Sequence, residues 1–214
     1  MGVGVTAGLL GIGGDVAVRV LRSANIRFGF SGLGISQNFD KDGISYAANV
    51  RLEAAQLTLD WFFFHGIHLS PGMLIYNGTK INATASAPAG TTFTLNHVDY
   101  ASSSASPLTG TLGVTFRKAA PMVLFGFGNL VPRGSRHWSI TFDMGAAFSG
   151  SPNAALNLAG FACAPGNTSG ATCLNVATDP TIHSNVTAEQ SSVNDKLRFL
   201  KIYPVVTLGF GYAF

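Results

Sequence analysis

Leu200-Lys201-Ile202-Tyr203-Pro204-Val205-Val206-Thr207-Leu208-Gly209-Phe210-Gly211-Tyr212-Ala213-Phe214 closes the chain. Side chains of an extended strand point alternately to opposite faces. On that spacing Leu200, Ile202, Pro204, Val206, Leu208, Phe210, Tyr212 and Phe214 share one face. Lys201, Tyr203, Val205, Thr207, Gly209, Gly211 and Ala213 share the other. One face is wholly apolar, and the other is mostly small or polar. A soluble β-sandwich or lipocalin-like barrel also alternates, but its outer face carries many Lys and Glu. Apolar residues facing outward and small or polar residues facing inward are the mark of a strand that crosses a membrane.

The pattern recurs. Trp138, Ile140, Phe142, Met144, Ala146 and Phe148 oppose His137, Ser139, Thr141, Asp143, Gly145 and Ala147. Ile67, Leu69, Met73 and Ile75 oppose His68, Ser70 and Gly72; Ile26, Phe28 and Phe30 oppose Arg27, Gly29 and Ser31. Val16, Val18 and Val20 oppose Asp15, Ala17 and Arg19. Three segments change phase partway. Val50, Leu52 and Ala54 give way to Leu57, Leu59, Trp61 and Phe63; Val3, Val5, Ala7 and Leu9 to Leu10, Ile12 and Val16; Leu112, Val114 and Phe116 to Val123, Phe125 and Phe127. A one-residue bulge makes such a slip without ending a strand, and a tight turn is the alternative at Arg117–Pro121. Aromatics gather where interface girdles would lie: Tyr46, Phe62 to Phe64, Tyr76, Trp138, Phe148 and Phe214.

Composition agrees. Of 214 residues only 11% are charged and 47% are hydrophobic, against about 25% charged in an ordinary soluble domain. Mean hydropathy is +0.31. No apolar run approaches the roughly 20 residues a membrane helix needs; the densest, Leu57 to Phe64, is short and contains Asp60. Only helices and closed barrels satisfy the backbone in lipid, so the expected fold is all-β, an antiparallel up-and-down transmembrane β-barrel occupying residues 1–214 as one domain. A net charge of +3 without a Lys/Arg cluster excludes a nucleic-acid partner. No export leader precedes the first strand-like residues, so the chain reads as mature or truncated.

Strand-like segments fall at 3–20, 25–36, 46–64, 67–82, 109–128, 136–149, 154–161 and 198–214, which makes eight strands, with ten as the alternative. Counting back from a periplasmic C-terminus puts the long Ala83–Leu108 link on the periplasmic side, where turns should be short. Leaving out 154–161 removes that conflict but leaves seven strands. Leu130-Val131-Pro132-Arg133-Gly134-Ser135 matches an engineered protease-cleavage linker as well as a natural turn. In the last long loop, Thr187-Ala188-Glu189-Gln190 has the form of a capping box and predicts a short amphipathic helix. Cys163 and Cys173, ten apart in a Gly/Ser/Thr/Asn-rich stretch, read as a disulfide pinning that loop; two unpaired thiols are the alternative.

Tyr203 to Phe214 resembles the terminal strand of bacterial outer-membrane barrels. Asp60-Trp61-Phe62-Phe63-Phe64, Tyr76-Asn77-Gly78-Thr79-Lys80 and Ser149-Gly150-Ser151-Pro152 resemble recurring pieces of a little-characterised group of small outer-membrane proteins. The resemblance implies residence in the bacterial outer membrane, contact with its lipids, and reading of Tyr212 and Phe214 by the barrel-assembly machinery as an insertion signal. It implies no activity.

Charges on inward faces are Asp15, Arg19, Arg27, Arg51, Glu53, Asp60, Arg117, Asp143 and Lys201. Buried charges must pair, so Arg27, Arg51 and Arg117 against Glu53, Asp60 and Asp143 predict either a salt-bridged plug or a polar conduit for small solutes. The interior of an eight-stranded barrel is just wide enough to fill with side chains, which favours the plug. The expected function is thus a narrow channel or a structural, ligand-binding barrel. The alternative is a lipid-modifying hydrolase with His137 as base and Ser139 as nucleophile, although neighbours two apart on a strand stand about 6.5–7 Å apart at Cα. No catalytic residue is assigned, and no cofactor or metal site is expected; His65, His68 and His97 are separated by turn and loop sequence, and His183 alone does not complete a site with the cysteines.

Overall fold

The computed structural model describes residues 1–133 and 137–214. Its strands in chain order are β1 (Gly2–Gly8), β2 (Gly11–Leu21), β3 (Ala24–Lys41), β4 (Ile44–Phe64), β5 (Ile67–Asn77), β6 (Lys80–Ala87), β7 (Thr92–Leu95) and β8 (Val98–Ser102). After these come β9 (Leu108–Thr115), β10 (Ala120–Phe127), β11 (Trp138–Ala147), β12 (Asn153–Ala159), β13 (Phe161–Cys163) and β14 (Cys173–Asn175). The helix α1 (Pro180–Lys196) and a 3-10 turn (Leu197–Lys201) precede β15 (Tyr203–Ala213). The described residues are mostly antiparallel β-sheet with one α-helix.

Pairing runs from β1 to β2, β3, β4, β5, β10, β11 and β15, and β15 pairs with β1, so the path returns to its start. At one end lie both chain termini, with Gly2 opposite Ala213, and the short turns at Arg22-Ser23 and His65-Gly66. At the other end β3 and β4 rise beyond the ring, and β6, β9 and β12 add to β4 in that order. A second sheet, β7 and β8 with β13 and β14, accompanies this extension.

Burial separates the two faces of the ring. On β15, Val205 is 0% exposed while its neighbour-but-two Leu208 is 58% exposed. Ile26, Phe28, Leu57, Leu59, Phe125, Ile140 and Phe210 likewise stand exposed on the outside, and the alternate positions are buried. The outside is apolar and the inside mixed.

Above the ring that polarity inverts. The β3–β4 register runs without a shift from Ala24↔Trp61 to Lys41↔Ile44, so odd residues of β4 face outward throughout. Those residues are Leu57, Leu59, Trp61 and Phe63 in the ring, but Asn49, Arg51 and Glu53 in the extension. The phase change expected to mark a bulge in β4 is therefore a change of surroundings, with Val50 and Leu52 on the same inner face as Gln56. The same holds along β9 and β10, where even residues face inward on both strands. A bulge does occur, on β5, where Ile75 is left unpaired between Ala55↔Tyr76 and Gln56↔Leu74.

Two boundaries differ from the sequence reading. The segment 3–20 is two strands joined by a tight turn at Leu9-Leu10. Residues 154–161 do not form a further strand of the ring: β12 continues the path of β11 and pairs with β9. Together these changes place the long link between β6 and β9 at the end opposite the termini, removing the orientation conflict. The linker-like Leu130–Ser135 lies partly outside the described residues, but Leu130 and Val131 are buried against Ala17.

The helix begins earlier than the capping box suggested. Asp179 is its N-cap, accepting from the backbone N–H of Thr181 and Ile182, with Pro180 in the first turn. Thr187 is mid-helix and donates to the His183 carbonyl. Gln190 Oε1 and Asn194 Oδ1 accept from the backbone N–H of Leu156 and Ala154, covering the free edge of β12. Ile182 anchors the helix in an apolar cluster with Ala87, Leu95, Leu108, Ala162 and Val176. A disulfide joins Cys163 to Cys173 across the β13–β14 hairpin. Ile182→Ala should cost about 2–4 kcal/mol locally; limited proteolysis should cut the α1 segment faster, with the far-ultraviolet β signal unchanged.

Candidate functional site

Each inward-facing strand position of the ring has only neighbouring strands to shape it. Arg27 on β3, Asp15 on β2, Asp60 on β4 and Asp143 on β11 come to one level there. Arg27 Nη1 lies 2.6 Å from Asp143 Oδ2 and 3.5 Å from Asp15 Oδ2. Its Nη2 donates to Asp60 Oδ1 at 3.0 Å and to Asp143 Oδ1 at 3.2 Å. Nε lies 3.0 Å from Asp60 Oδ2, at ion-pair distance without hydrogen-bond geometry.

A second set of contacts orients the carboxylates. His68 Nε2 lies 2.8 Å from Asp143 Oδ1, and its ring rests on Phe62 with centroids 5.0 Å apart. Ser70 and Thr58 both donate to Asp60 Oδ1, at 2.7 and 3.1 Å. Glycines make room for this. A Cβ on Gly29 would collide with Asp15 Oδ1 and Gln56, and one on Gly126 with Asp143 Oδ1 and His68 Nε2.

The cluster lies between two lids. Toward the chain termini, Leu130 and Val131 fold inward from the β10–β11 link, and Asn129 Oδ1 accepts from Asn25 Nδ2 and from the Val131 backbone N–H. Toward the extension, Leu10, Leu74, Met122, Leu124 and Val205 pack into an apolar layer, with Tyr203 donating to the Leu9 carbonyl at 2.9 Å. Arg27 is 3% exposed and Asp143 1%, so water reaches neither to any extent.

Of the six sequence-predicted lumen residues, three meet here: Arg27, Asp60 and Asp143. Arg51 and Glu53 do not face inward. They pair with each other on the outward face of β4, because the β3–β4 register stays in phase. Arg117 is exposed in the β9–β10 link beside Gly150. Arg19 is exposed on β2, donating to the Pro132 carbonyl, and Lys201 is exposed in the 3-10 turn. Asp15 had the inward parity to be included among the six; His68 and Ser70 had it too, and were the polar partners that sequence spacing left without a role. The inward fold of Leu130 and Val131 had no periodic signal.

His65, His68 and His97 do not gather: His65 is in the β4–β5 turn, His68 in the cluster and His97 in the β7–β8 turn. Nor do His137 and Ser139 form a pair. The His137 Nδ1 lies 2.9 Å from the Ala213 carbonyl oxygen, while Ser139 Oγ is buried with no hydrogen-bond partner among the described residues. Asp143 is committed to Arg27 and His68. A nucleophile needs its base within hydrogen-bond reach, and this serine has none. Tyr212 and Phe214 lie on the outward face of the last strand, their rings 5.2 Å apart and edge to face.

No family model and no curated protein matches the chain. Its structure is similar to that of Acinetobacter baumannii CarO, with TM-score 0.60 and 20% identity over 100% of this chain and 97% of that one. It is similar also to A. baumannii CarO2, with TM-score 0.62 and 17% identity over 100% and 97%. At such identities the likeness is one of fold.

Removing Arg27 would strand three carboxylates in a closed interior, a change worth about 3–5 kcal/mol for one broken buried pair. Arg27→Met should lower the urea midpoint of the folded protein sharply. Adding Asp60→Asn and Asp143→Asn to it should recover much of the loss, since neutral amides no longer need the cation. Equal midpoints for wild type and Arg27→Met would show that the cluster does not hold the interior together.

Proposed function

We propose that the chain is a bacterial outer-membrane β-barrel of eight strands, closed across its lumen, serving as a structural or ligand-binding barrel through its loop end. The sealed interior carries this reading. A solute conduit needs a continuous polar path, whereas here the one charged level, where Arg27 is shared by three carboxylates, is covered on both sides by apolar side chains. The exposed apolar outer face, carried by strands whose pairing path returns to its start, supports the membrane assignment. In this reading residues 1–214 form one domain, and the short turns face the periplasm with the extension outward. Lipids of the outer membrane contact the apolar belt. Tyr212 and Phe214 serve the barrel-assembly machinery as the insertion signal.

Planar-bilayer recording tests the closed lumen. Detergent-refolded protein, shown to be inserted, should give no discrete conductance steps. Reproducible steps would overturn the plug, restore a channel for small solutes, and make Arg27, Asp60 and Asp143 the selectivity residues to vary.

The belt has its own test. Leu57→Arg should cost about 2–4 kcal/mol in refolding into lipid vesicles if Leu57 lies near the bilayer midplane. Asn49→Arg, eight residues along on the same face of β4, should cost nearly nothing. Equal effects would place the belt elsewhere.

A further inference from the structure

We infer that Lys80, Arg117 and Lys118, beside the Arg51–Glu53 pair, form a binding girdle for the phosphate groups of outer-leaflet lipid. This inference rests on the membrane reading above. Lys80 stands directly opposite Arg51 in the β4–β6 register, so the two cations share the outward face at one level. Like charges directly opposite are destabilising unless something anionic lies between them. Glu53 answers Arg51 and also accepts from Tyr76. Among the described residues, Lys80, Arg117 and Lys118 make no ion pair.

Their height fits. The apolar belt reaches outward as far as Phe30, Ala55 and Tyr76, which share one level across β3, β4 and β5. Arg51 lies four residues further along β4, about 13 Å along the strand and about 10 Å in height at ordinary barrel tilts. Lys80 has the same level, and its partner on β9 is Thr115, so Arg117 and Lys118 begin two residues nearer the belt. Long cationic side chains placed just beyond an apolar surface lay their stems along it and hold their charges at headgroup depth. A lipid carrying phosphates at that depth supplies the missing counter-charge, while its acyl chains cover Ile75, Tyr76 and Met73.

The test uses the full chain refolded into nanodiscs of phosphatidylcholine doped with either bis-phosphorylated lipid A or the same glycolipid stripped of phosphate. Lipid retained per protein is read by native mass spectrometry. Wild type should retain the phosphorylated form on the order of tenfold more than the stripped form. The K80A/R117A/K118A variant should lose that preference, K80R/R117K/K118R should keep it, and R22A, at the opposite end of the ring, should be unaffected. Equal retention of both glycolipids by inserted wild type, or an unchanged preference in the triple alanine variant, overturns the girdle and leaves the barrel standing. Displacement by excess inorganic phosphate overturns the lipid assignment in favour of a free anion. A chain that enters neither nanodisc overturns the barrel reading itself.

Discussion

Everything inside the ring is arranged around the guanidinium of Arg27. A cation withdrawn from water must be matched nearly completely, and Asp15, Asp60 and Asp143 reach it from three different strands. The carboxylates outnumber the cation, and two of them have further partners: His68 for Asp143, Ser70 and Thr58 for Asp60. The result ties β2, β3, β4, β5 and β11 together across the interior, at right angles to the backbone ladder that joins them around the rim. The glycines at 29 and 126 are part of the same constraint, since any side chain there would occupy the space of the carboxylates.

Much of this was legible in the sequence. A period of two places Arg27, Asp60 and Asp143 on one face before any pairing is known, and the exposed apolar partners of each follow from the same count. Where the reading failed, it failed over surroundings rather than over period. Val50 and Leu52 have the pattern of an apolar face that should meet lipid, which by parity turns Arg51 and Glu53 inward. In fact the exposed apolar residues of β4 end near Ala55, and beyond it polar side chains take the outer face while apolar ones turn in. A strand of 21 residues therefore carries two opposite polarity codes in one unbroken register, and a parity flip alone does not distinguish that from a bulge.

Other features lay beyond periodicity for a different reason. The turn at Leu9-Leu10 is framed by Gly8 and a positive-φ Gly11, but its two apolar central residues let the alternation pass for a phase slip, so two strands read as one. The inward fold of Leu130 and Val131 depends on contacts with Ala17 and Gly2, far away in the chain. The Thr187–Gln190 capping box points to the helix, but its true cap, Asp179 before Pro180, lies further back in the chain. The disulfide was readable because two cysteines in one hydrophilic loop leave a single pairing.

The unequal height of the ring's walls has a further consequence. The β2–β3 ladder stops at Ile12↔Gly32, whereas β3 and β4 continue together to Lys41↔Ile44. On the far flank α1 closes the edge of β12, but along Leu33 to Lys41 the edge of β3 stands bare, with Ile35 50% and Phe39 47% exposed. The tall side is a screen and the low side a doorway. The inner surface of the screen, where Phe39 stacks on Tyr46 at 5.1 Å, is open from the side, over the β1–β2 turn.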